Sequence, residues 1–138
     1  MVEEFIAARN DRDHERASAL LAEDFEWRVS PSAGPPLHGQ QARDGLVGGL
    51  SKKLTRPGTE RRVIDRVTAD GGAVLVEYTI TAITVGGQEY TNGYCWLYDV
   101  TDGLISRITN YSDSLGGWRA FGADTVQAGL TAIRSAKA

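Results

Sequence analysis

The stretch from Tyr90 to Asp113 reads Y-T-N-G-Y-C-W-L-Y-D-V-T-D-G-L-I-S-R-I-T-N-Y-S-D, and it decides the fold. Successive strand side chains point to opposite faces, and the central D-G pair is typical of a tight turn, so the stretch predicts a β-hairpin. One predicted face carries Tyr90, Asn92, Tyr94, Trp96 and Tyr98. Such a face fits either a packed core or the wall of a cavity. A buried asparagine needs a hydrogen-bond partner, which favours a ligand cavity.

Length, charge and cysteine content narrow the class of protein. The 138 residues predict one domain, 1–138, and the net charge of −3 without a basic stripe argues against a nucleic-acid partner. The single Cys95 excludes an intrachain disulfide. No apolar run approaches the roughly 18 residues of a membrane span. The N-terminus has no signal-peptide pattern, so we expect a cytoplasmic protein that does not bind membranes.

Hydrophobic periodicity and turn signals predict helices first and strands later. The expected helices cover 2–10, a segment capped by Asp11 or Asp13 and ending at 22, 40–54 and 124–136. The expected strands cover 25–30, 60–69, 73–85, 88–100 and 104–112, with a loop at 30–39. The basic residues between 52 and 62 are interrupted by Pro57-Gly58, which indicates a solvated loop. This order is typical of an α+β fold with helices on one face of a curved antiparallel sheet.

Two motifs carry a resemblance to a known family. They are N-x-Y-x-W-x-Y-x-V-x-D-G-x-I from Asn92 to Ile105 and N-Y-x-D from Asn110 to Asp113. With the order of elements, they resemble the SnoaL-like branch of the nuclear transport factor 2-like superfamily over residues 2–121, so that 122–138 would be an extra helix. The resemblance implies a cone-shaped fold whose curved sheet and N-terminal helices enclose a deep cavity. It also implies a usual homodimer. Isomerases, cyclases, dehydratases, epoxide hydrolases and non-catalytic binders share this fold, so the fold alone does not choose a reaction.

Two well-known catalytic sets of this superfamily do not match the sequence. By resemblance to ketosteroid isomerase, the oxyanion tyrosine falls on Phe5, and the base aspartate falls on Ser30, or on Val29 if the strand is slipped. The protonated aspartate of that enzyme falls on Tyr94. The arginine and two aspartates of limonene epoxide hydrolase fall near three neutral residues, Asn92, Tyr94 and Asn110. The mapped site has hydrogen-bonding groups but no strong acid or base, and we expect neither activity.

Three residues are candidates for catalysis. His38 ends the Pro-Gly loop where the family fold places the cavity mouth, and its imidazole titrates near neutrality. The alternative is an exposed loop histidine. Asp113 is a candidate base, although a carboxylate before Ser114 also suits a helix cap or an ion pair. Tyr94 would donate a hydrogen bond to an oxyanion.

Two functional classes remain open. The first is an enzyme that isomerises, cyclises or dehydrates a largely apolar small molecule of polyketide, terpenoid or steroid type. The second is a non-catalytic binder or dimeric scaffold with the same pocket. In both classes the binding residues are expected to be Trp27, Asn92, Tyr94, Trp96 and Asn110. No metal or organic cofactor is indicated, because the sequence has no dense ligand spacing and no phosphate loop.

The outer face of the sheet is the expected homodimer interface. Its strands alternate so that Leu75, Thr79, Thr81 and Leu97 point away from the cavity. Apolar and β-branched residues on an exposed sheet face suit a contact between two identical copies.

Overall fold

The computed structural model describes residues 1–29 and 33–135, apart from the side chain of residue 123. The helices are α1 (Val2–Asn10), α2 (His14–Ala19), α3 (Gly39–Asp44), α4 (Ser51–Leu54), α5 (Ser114–Phe121) and α6 (Ala123–Ser135). The strands are β1 (Leu21–Arg28), β2 (Leu37–His38), β3 (Arg61–Asp70), β4 (Ala73–Ile83), β5 (Glu89–Thr101) and β6 (Leu104–Ser112). A π-helical segment, Gly45–Gly49, joins α3 to α4. Helices packed on a six-stranded, curved open sheet confirm the predicted α+β fold.

The sheet has the strand order β2-β1-β6-β5-β4-β3. The meander from β3 to β6 is antiparallel, as predicted, but β1 runs parallel to β6. A long helical connection, rather than a hairpin turn, separates β1 from the meander, so no turn imposes an antiparallel direction on it. The short strand β2 pairs with β1 inside the segment that was predicted to be a loop.

The β5–β6 hairpin has the predicted two faces. Asn92, Trp96 and Tyr98 are buried on one face of β5, whereas Thr91 and Gly93 on the other face are exposed. The register of β4 with β5 runs without interruption over their paired length, which fixes the direction of every side chain on this face. The expectation that the aromatic face of β5 points toward the helices is therefore confirmed.

Helix α1 packs against this aromatic face. Phe5 is completely buried in α1, and its ring centroid lies 6.2 Å from that of Tyr98. The carboxylate of Asp13 caps α2 by accepting from the Arg16 backbone N–H, as predicted. The helix ends at Ala19, earlier than the predicted end at residue 22, because the next residues already pair in β1.

The third predicted helix is interrupted. Instead of one helix over 40–54, the chain forms α3, the π-helical segment and α4. The interruption lies at Val47 and at Gly48, whose φ is +150°. A Cβ on Gly48 would lie 3.2 Å from the His14 ring, so the glycine also allows a close approach to α2. This break brings α4 back toward the sheet.

The C-terminal part of the chain forms two helices. The predicted final helix is confirmed up to Ser135, and its predicted last residue lies outside the described residues. Leu130 and Ile133 are buried, and the Gln41 side chain donates to the Ile133 carbonyl at 3.0 Å, so α6 is fastened to α3. The glycine pair at 116–117 lies inside α5. Within the described ranges no helix is long and apolar enough to cross a membrane.

Candidate functional site

A cavity of about 110 Å³ lies between the sheet and the helices. We call this space the inner compartment. Its aromatic residues are Trp27, Tyr90, Tyr94, Trp96 and Phe121. Its main aliphatic residues are Leu46, Leu50, Leu54 and Ile80. The largely apolar wall with few polar groups is typical of a small-molecule site.

The aromatic wall is held by ring-to-ring contacts. Tyr94 stacks on Tyr78 with centroids 5.6 Å apart, and Trp96 meets Tyr94 edge-on at 6.3 Å. Tyr90 on β5 contacts Phe121 on α5, with centroids 4.6 Å apart. These are favourable arrangements for aromatic pairs, and each ring restricts its neighbour. The wall is therefore formed before any ligand binds.

The hydroxyls of Tyr90 and Tyr94 form a pair inside this wall. Their oxygens lie 2.5 Å apart, so one hydroxyl donates to the other. Burial raises the pKa of Tyr94, and its contact with Tyr90 raises it further. Burial also raises the pKa of Tyr90. Both phenols keep their protons at neutral pH and are not bases. One proton lies in the bond between them, so the pair offers one donor to a ligand.

Trp27, Trp96 and Asn110 add polar groups to the wall of the inner compartment. The indole N–H of Trp27 donates to the Oδ1 atom of Asn110 at 3.1 Å. The amide nitrogen of Asn110 carries two N–H donors of its own. The indole nitrogen of Trp96 is buried and has no hydrogen-bond partner among the described residues, which is costly.

Three charged side chains, Arg9, Glu60 and Arg62, also line the inner compartment, and we call them the charged cluster. The Arg62 side chain is only 4% exposed and donates from Nη2 to Oε1 of Glu60. Arg9 donates to the Leu46 carbonyl at 3.0 Å. Its guanidinium carbon lies 5.6 Å from the centroid of the Trp96 ring, a cation–π contact.

The charged cluster carries an excess positive charge. Burial alone would raise the pKa of Glu60, but the charges of Arg62 and Arg9 and hydrogen bonds from Ser51 and Thr55 outweigh burial and lower it. Burial and the nearby charge of Arg62 lower the pKa of Arg9 to about 10. At neutral pH the cluster therefore holds two guanidinium groups and one carboxylate.

A second cavity of about 190 Å³ adjoins the first. The two cavities share Arg9, Ser51, Thr55, Glu60 and Arg62 in their walls. The second cavity adds four basic or titratable residues, Arg12, His14, Lys52 and Arg56. We call it the outer compartment. Among the described residues, Glu60 is the only carboxylate that lines either compartment.

Most of the predicted binding residues line the inner compartment. Trp27, Tyr94, Trp96 and Asn110 lie together in its wall, on three different strands. Asn92 is buried on the same face but does not line the cavity. Its side chain donates to the backbone carbonyl of residue 113 at 2.9 Å and thereby positions the start of α5.

Asp113 does not reach the cavity, which corrects its predicted role as a base. Its side chain is exposed and accepts from the backbone N–H groups of Leu115 at 3.1 Å and Gly116 at 3.3 Å. A carboxylate that caps a helix is committed to these donors. The alternative interpretation, a helix cap, is therefore the correct one.

His38 also lies away from the cavity. It pairs with Glu26 in the β1–β2 ladder, so its side chain lies on the face opposite Trp27 and Leu37. The exposed imidazole borders a surface depression together with Glu26 and Arg107. The predicted position at the cavity mouth is wrong, because β2 turns this residue to the outer face of the sheet.

The charged cluster is what sequence reasoning missed. Arg62 was assigned to a solvated loop, whereas β3 begins at Arg61 and directs Arg62 inward opposite Ile80. Arg9 was overlooked, although it follows Phe5 by four residues on the buried face of α1. An arginine at a helical spacing from core residues was the available signal.

Two positions where ketosteroid isomerase would carry catalytic groups, Phe5 and Val29, can be located in the structure. Phe5 is fully buried and contacts Tyr98. Val29 is partly buried beyond the end of β1, and Ser30 lies outside the described residues. Within 1–29 and 33–135, no group of three or more His, Cys, Asp or Glu side chains is arranged to hold a metal ion.

Fold and cavity together define the class of protein. The chain belongs to the SnoaL-like domain family, which matches residues 2–108. No functionally curated protein matches the chain significantly.

Solved structures share this fold at low identity. A nuclear transport factor 2-like protein of unknown function from Burkholderia pseudomallei is 21% identical with a TM-score of 0.75, covering 88% of this chain and 95% of that one. A protein described as a SnoaL-like polyketide cyclase from Jannaschia is 16% identical with a TM-score of 0.74, covering 88% and 89%. TerC, co-crystallised with polyporic acid, is 19% identical with a TM-score of 0.74, covering 86% and 93%.

Proposed function

We propose that this protein binds a largely apolar, ring-containing small molecule of polyketide, terpenoid or steroid type in the inner compartment. The observation that carries this proposal is a cavity walled by five aromatic rings. Apolar walls supply affinity, and a few fixed polar groups supply orientation.

Specific roles follow from the contacts in the wall. The rings of Trp27 and Trp96 would pack against the ligand. Tyr94 and the amide nitrogen of Asn110 would donate hydrogen bonds to its carbonyl or hydroxyl oxygens. Asn92 would act indirectly, because its bond to the backbone of residue 113 positions α5 and hence Phe121.

The names of structural neighbours agree with a ring-containing ligand. One neighbour is described as a SnoaL-like polyketide cyclase, and TerC was crystallised with polyporic acid. At these identities the likeness establishes the fold alone. It supports the choice of compounds for a first screen.

Conversion of the ligand by isomerisation, cyclisation or dehydration is a second candidate function. The observation that favours it is Tyr94, whose raised pKa keeps a donor where an oxyanion would need one. Glu60 is a weak candidate base, because its pKa is lowered and an effective base at neutral pH needs a higher one. Binding without turnover therefore fits the geometry better.

A thermal-shift screen of ring-containing compounds tests the binding proposal. A ligand that binds the folded state raises the melting temperature. We expect Leu50→Trp, which fills the inner compartment, to abolish the shift. Leu104→Trp is the matched control, because Leu104 is 36% exposed and lines neither compartment.

Three outcomes of this screen are decisive. Shifts that survive in Leu50→Trp would place the ligand elsewhere and refute the proposal. Each ligand is then incubated with the protein and analysed by mass spectrometry for new products. Ligands without products support the binder, whereas products that disappear in Leu50→Trp support the enzyme.

We further propose a homodimer formed through the outer face of the sheet. Exposed apolar side chains on this face include Val63 and Leu75. Burying them against a second copy would give an isologous contact. Light scattering at micromolar protein should give twice the mass of the chain. Leu75→Lys should reduce the measured mass to that of a single chain. The cytoplasmic location remains a prediction.

A further inference from the structure

The outer compartment is strongly biased toward positive charge. Its described wall holds five basic side chains, Arg9, Arg12, Lys52, Arg56 and Arg62. Glu60 is the only carboxylate opposite them in this wall. Cations gathered around one concave space produce a positive potential that attracts anions.

Few of these charges are neutralised by the protein. Arg12, Lys52 and Arg56 form no ion pair with any residue in 1–29 or 33–135. Arg62 shares Glu60 with the nearby Arg9, so one buried positive charge remains without a counter-charge. Burying a charge is costly unless it is paired, and an anionic ligand would provide the missing partner.

The hydrogen-bonding groups at the junction of the compartments also favour an acceptor. Arg9 and Arg62 line both compartments, and Arg9 lies over the Trp96 ring. An arginine side chain offers only donors. Carboxylate, enolate and phenolate oxygens are their natural complement.

We propose that the ligand is a ring-containing organic acid. Its rings occupy the inner compartment, and its anionic group binds Arg62 and Arg9 where the two compartments meet, facing the basic side chains of the outer compartment. This inference rests on the proposed function and narrows its substrate class from apolar ring compounds to ring-containing acids.

Calorimetric titration with matched ligand pairs tests the inference. The probes are benzoic, 2-naphthoic and anthracene-2-carboxylic acids, each compared with its primary amide, which has nearly the same shape without the charge. We expect the best acid to bind at least about 10-fold more tightly than its amide, because a hydrogen bond to a charged group is stronger than a neutral one. Equal affinity within every pair would overturn the inference and leave the proposed function standing.

Neighbouring arginines provide a matched pair of variants. Arg62→Gln should remove the preference for the acid while retaining binding of the amide. Arg61→Gln should retain the preference, because Arg61 is exposed. A preference that survives in Arg62→Gln would overturn the inference.

A second variant keeps the test valid if Arg62→Gln does not fold. Lys52 and Arg56 are exposed, so Lys52→Gln/Arg56→Gln should fold normally. It should lower affinity for the acid by roughly 2- to 5-fold, as expected for exposed charges, and leave the amide unchanged. An unchanged preference would contradict the inference. If the thermal-shift screen finds only neutral ligands, the inference alone fails, and if it finds none, the proposed function fails as well.

Discussion

The inner and outer compartments share a wall but differ in the side chains that line the rest of each space. In the inner compartment, aromatic rings restrict one another, and their positions follow from the uninterrupted register of β4 and β5. In the outer compartment, the long basic side chains of Arg12, Lys52 and Arg56 surround the space. The first can select a ligand by shape, and the second can select it by charge. The charged cluster lies between them and belongs to both.

The largest effect should come from truncating the inner wall. Trp27→Ala should lower the free energy of unfolding by about 3–5 kcal/mol, because Trp27 is only 2% exposed and its removal leaves a large void. Trp118→Ala is the control, since Trp118 is 57% exposed, and it should change stability by about 0.5 kcal/mol or less. Chemical denaturation measures both. Similar losses in the two variants would mean that the inner wall is not a packed unit.

The next largest loss of stability should come from a substitution in the charged cluster. Glu60→Gln leaves Arg9 and Arg62 without their carboxylate, and we expect a loss of about 3 kcal/mol, near the lower end for a broken buried pair because Glu60 retains 18% exposure. The exposed Glu89→Gln should be nearly neutral. Denaturation at pH 7 measures the difference. A stable Glu60→Gln would show that the cluster is well solvated.

Lowering the pH should reduce the stability that the charged cluster gives to the fold. The pKa of Glu60 is lowered in the folded state from its ordinary value of 4.5. Its ionisation therefore stabilises the fold fully above about pH 4.5, and this contribution is lost as the pH falls through the folded-state value. Stability measured between pH 7 and pH 3 should fall more steeply in the wild type than in Glu60→Gln. Parallel curves would contradict a lowered pKa for this carboxyl group.

A smaller effect is expected from a single hydroxyl of the inner wall. Tyr94→Phe keeps the ring and should weaken a ligand bound there by about 0.5–1.5 kcal/mol. The preference for an acid over its amide should be retained, because that preference is assigned to the arginines. Titration calorimetry checks both expectations. If a substrate is found and Tyr94 stabilises an oxyanion, turnover should fall by about 100-fold or more with little change in affinity.

No turnover is expected with the substrates of ketosteroid isomerase and limonene epoxide hydrolase. Purified protein should show no steroid isomerase and no limonene epoxide hydrolase activity above background, since Phe5, Tyr94 and Asn110 occupy positions where those enzymes need other groups. Spectrophotometric and chromatographic assays test this directly. Robust turnover of either substrate would refute the residue mapping.

The fold was predictable because its signals are local. The alternation from Tyr90 to Tyr98 and the Asp102-Gly103 turn specify strand, face and register within one short stretch. The four predicted binding residues that line the cavity were found through their strand positions. The break at Gly48 was not predictable, because it depends on the contact of this residue with His14, far away in the sequence.

The grouping of the charged cluster was not predictable, for a related reason. The helical spacing of Arg9 signals burial, but Arg9 and Arg62 lie far apart in the sequence, and the spacing does not show which residues they meet. Only the folded chain places them around Glu60. His38 was misplaced because a strand of two residues, β2, leaves almost no periodic signal.

The two edges of the sheet have a consequence for aggregation. One edge is β2, which is only two residues long, and the other is β3, which has a register irregularity between Ile64 and Arg66 and carries exposed charges at Asp65 and Asp70. Short edges, bulges and charges all discourage strand addition by another chain. Copies of this protein should therefore meet face to face and not extend the sheet into fibrils, and concentrated samples should stay free of cross-β assembly.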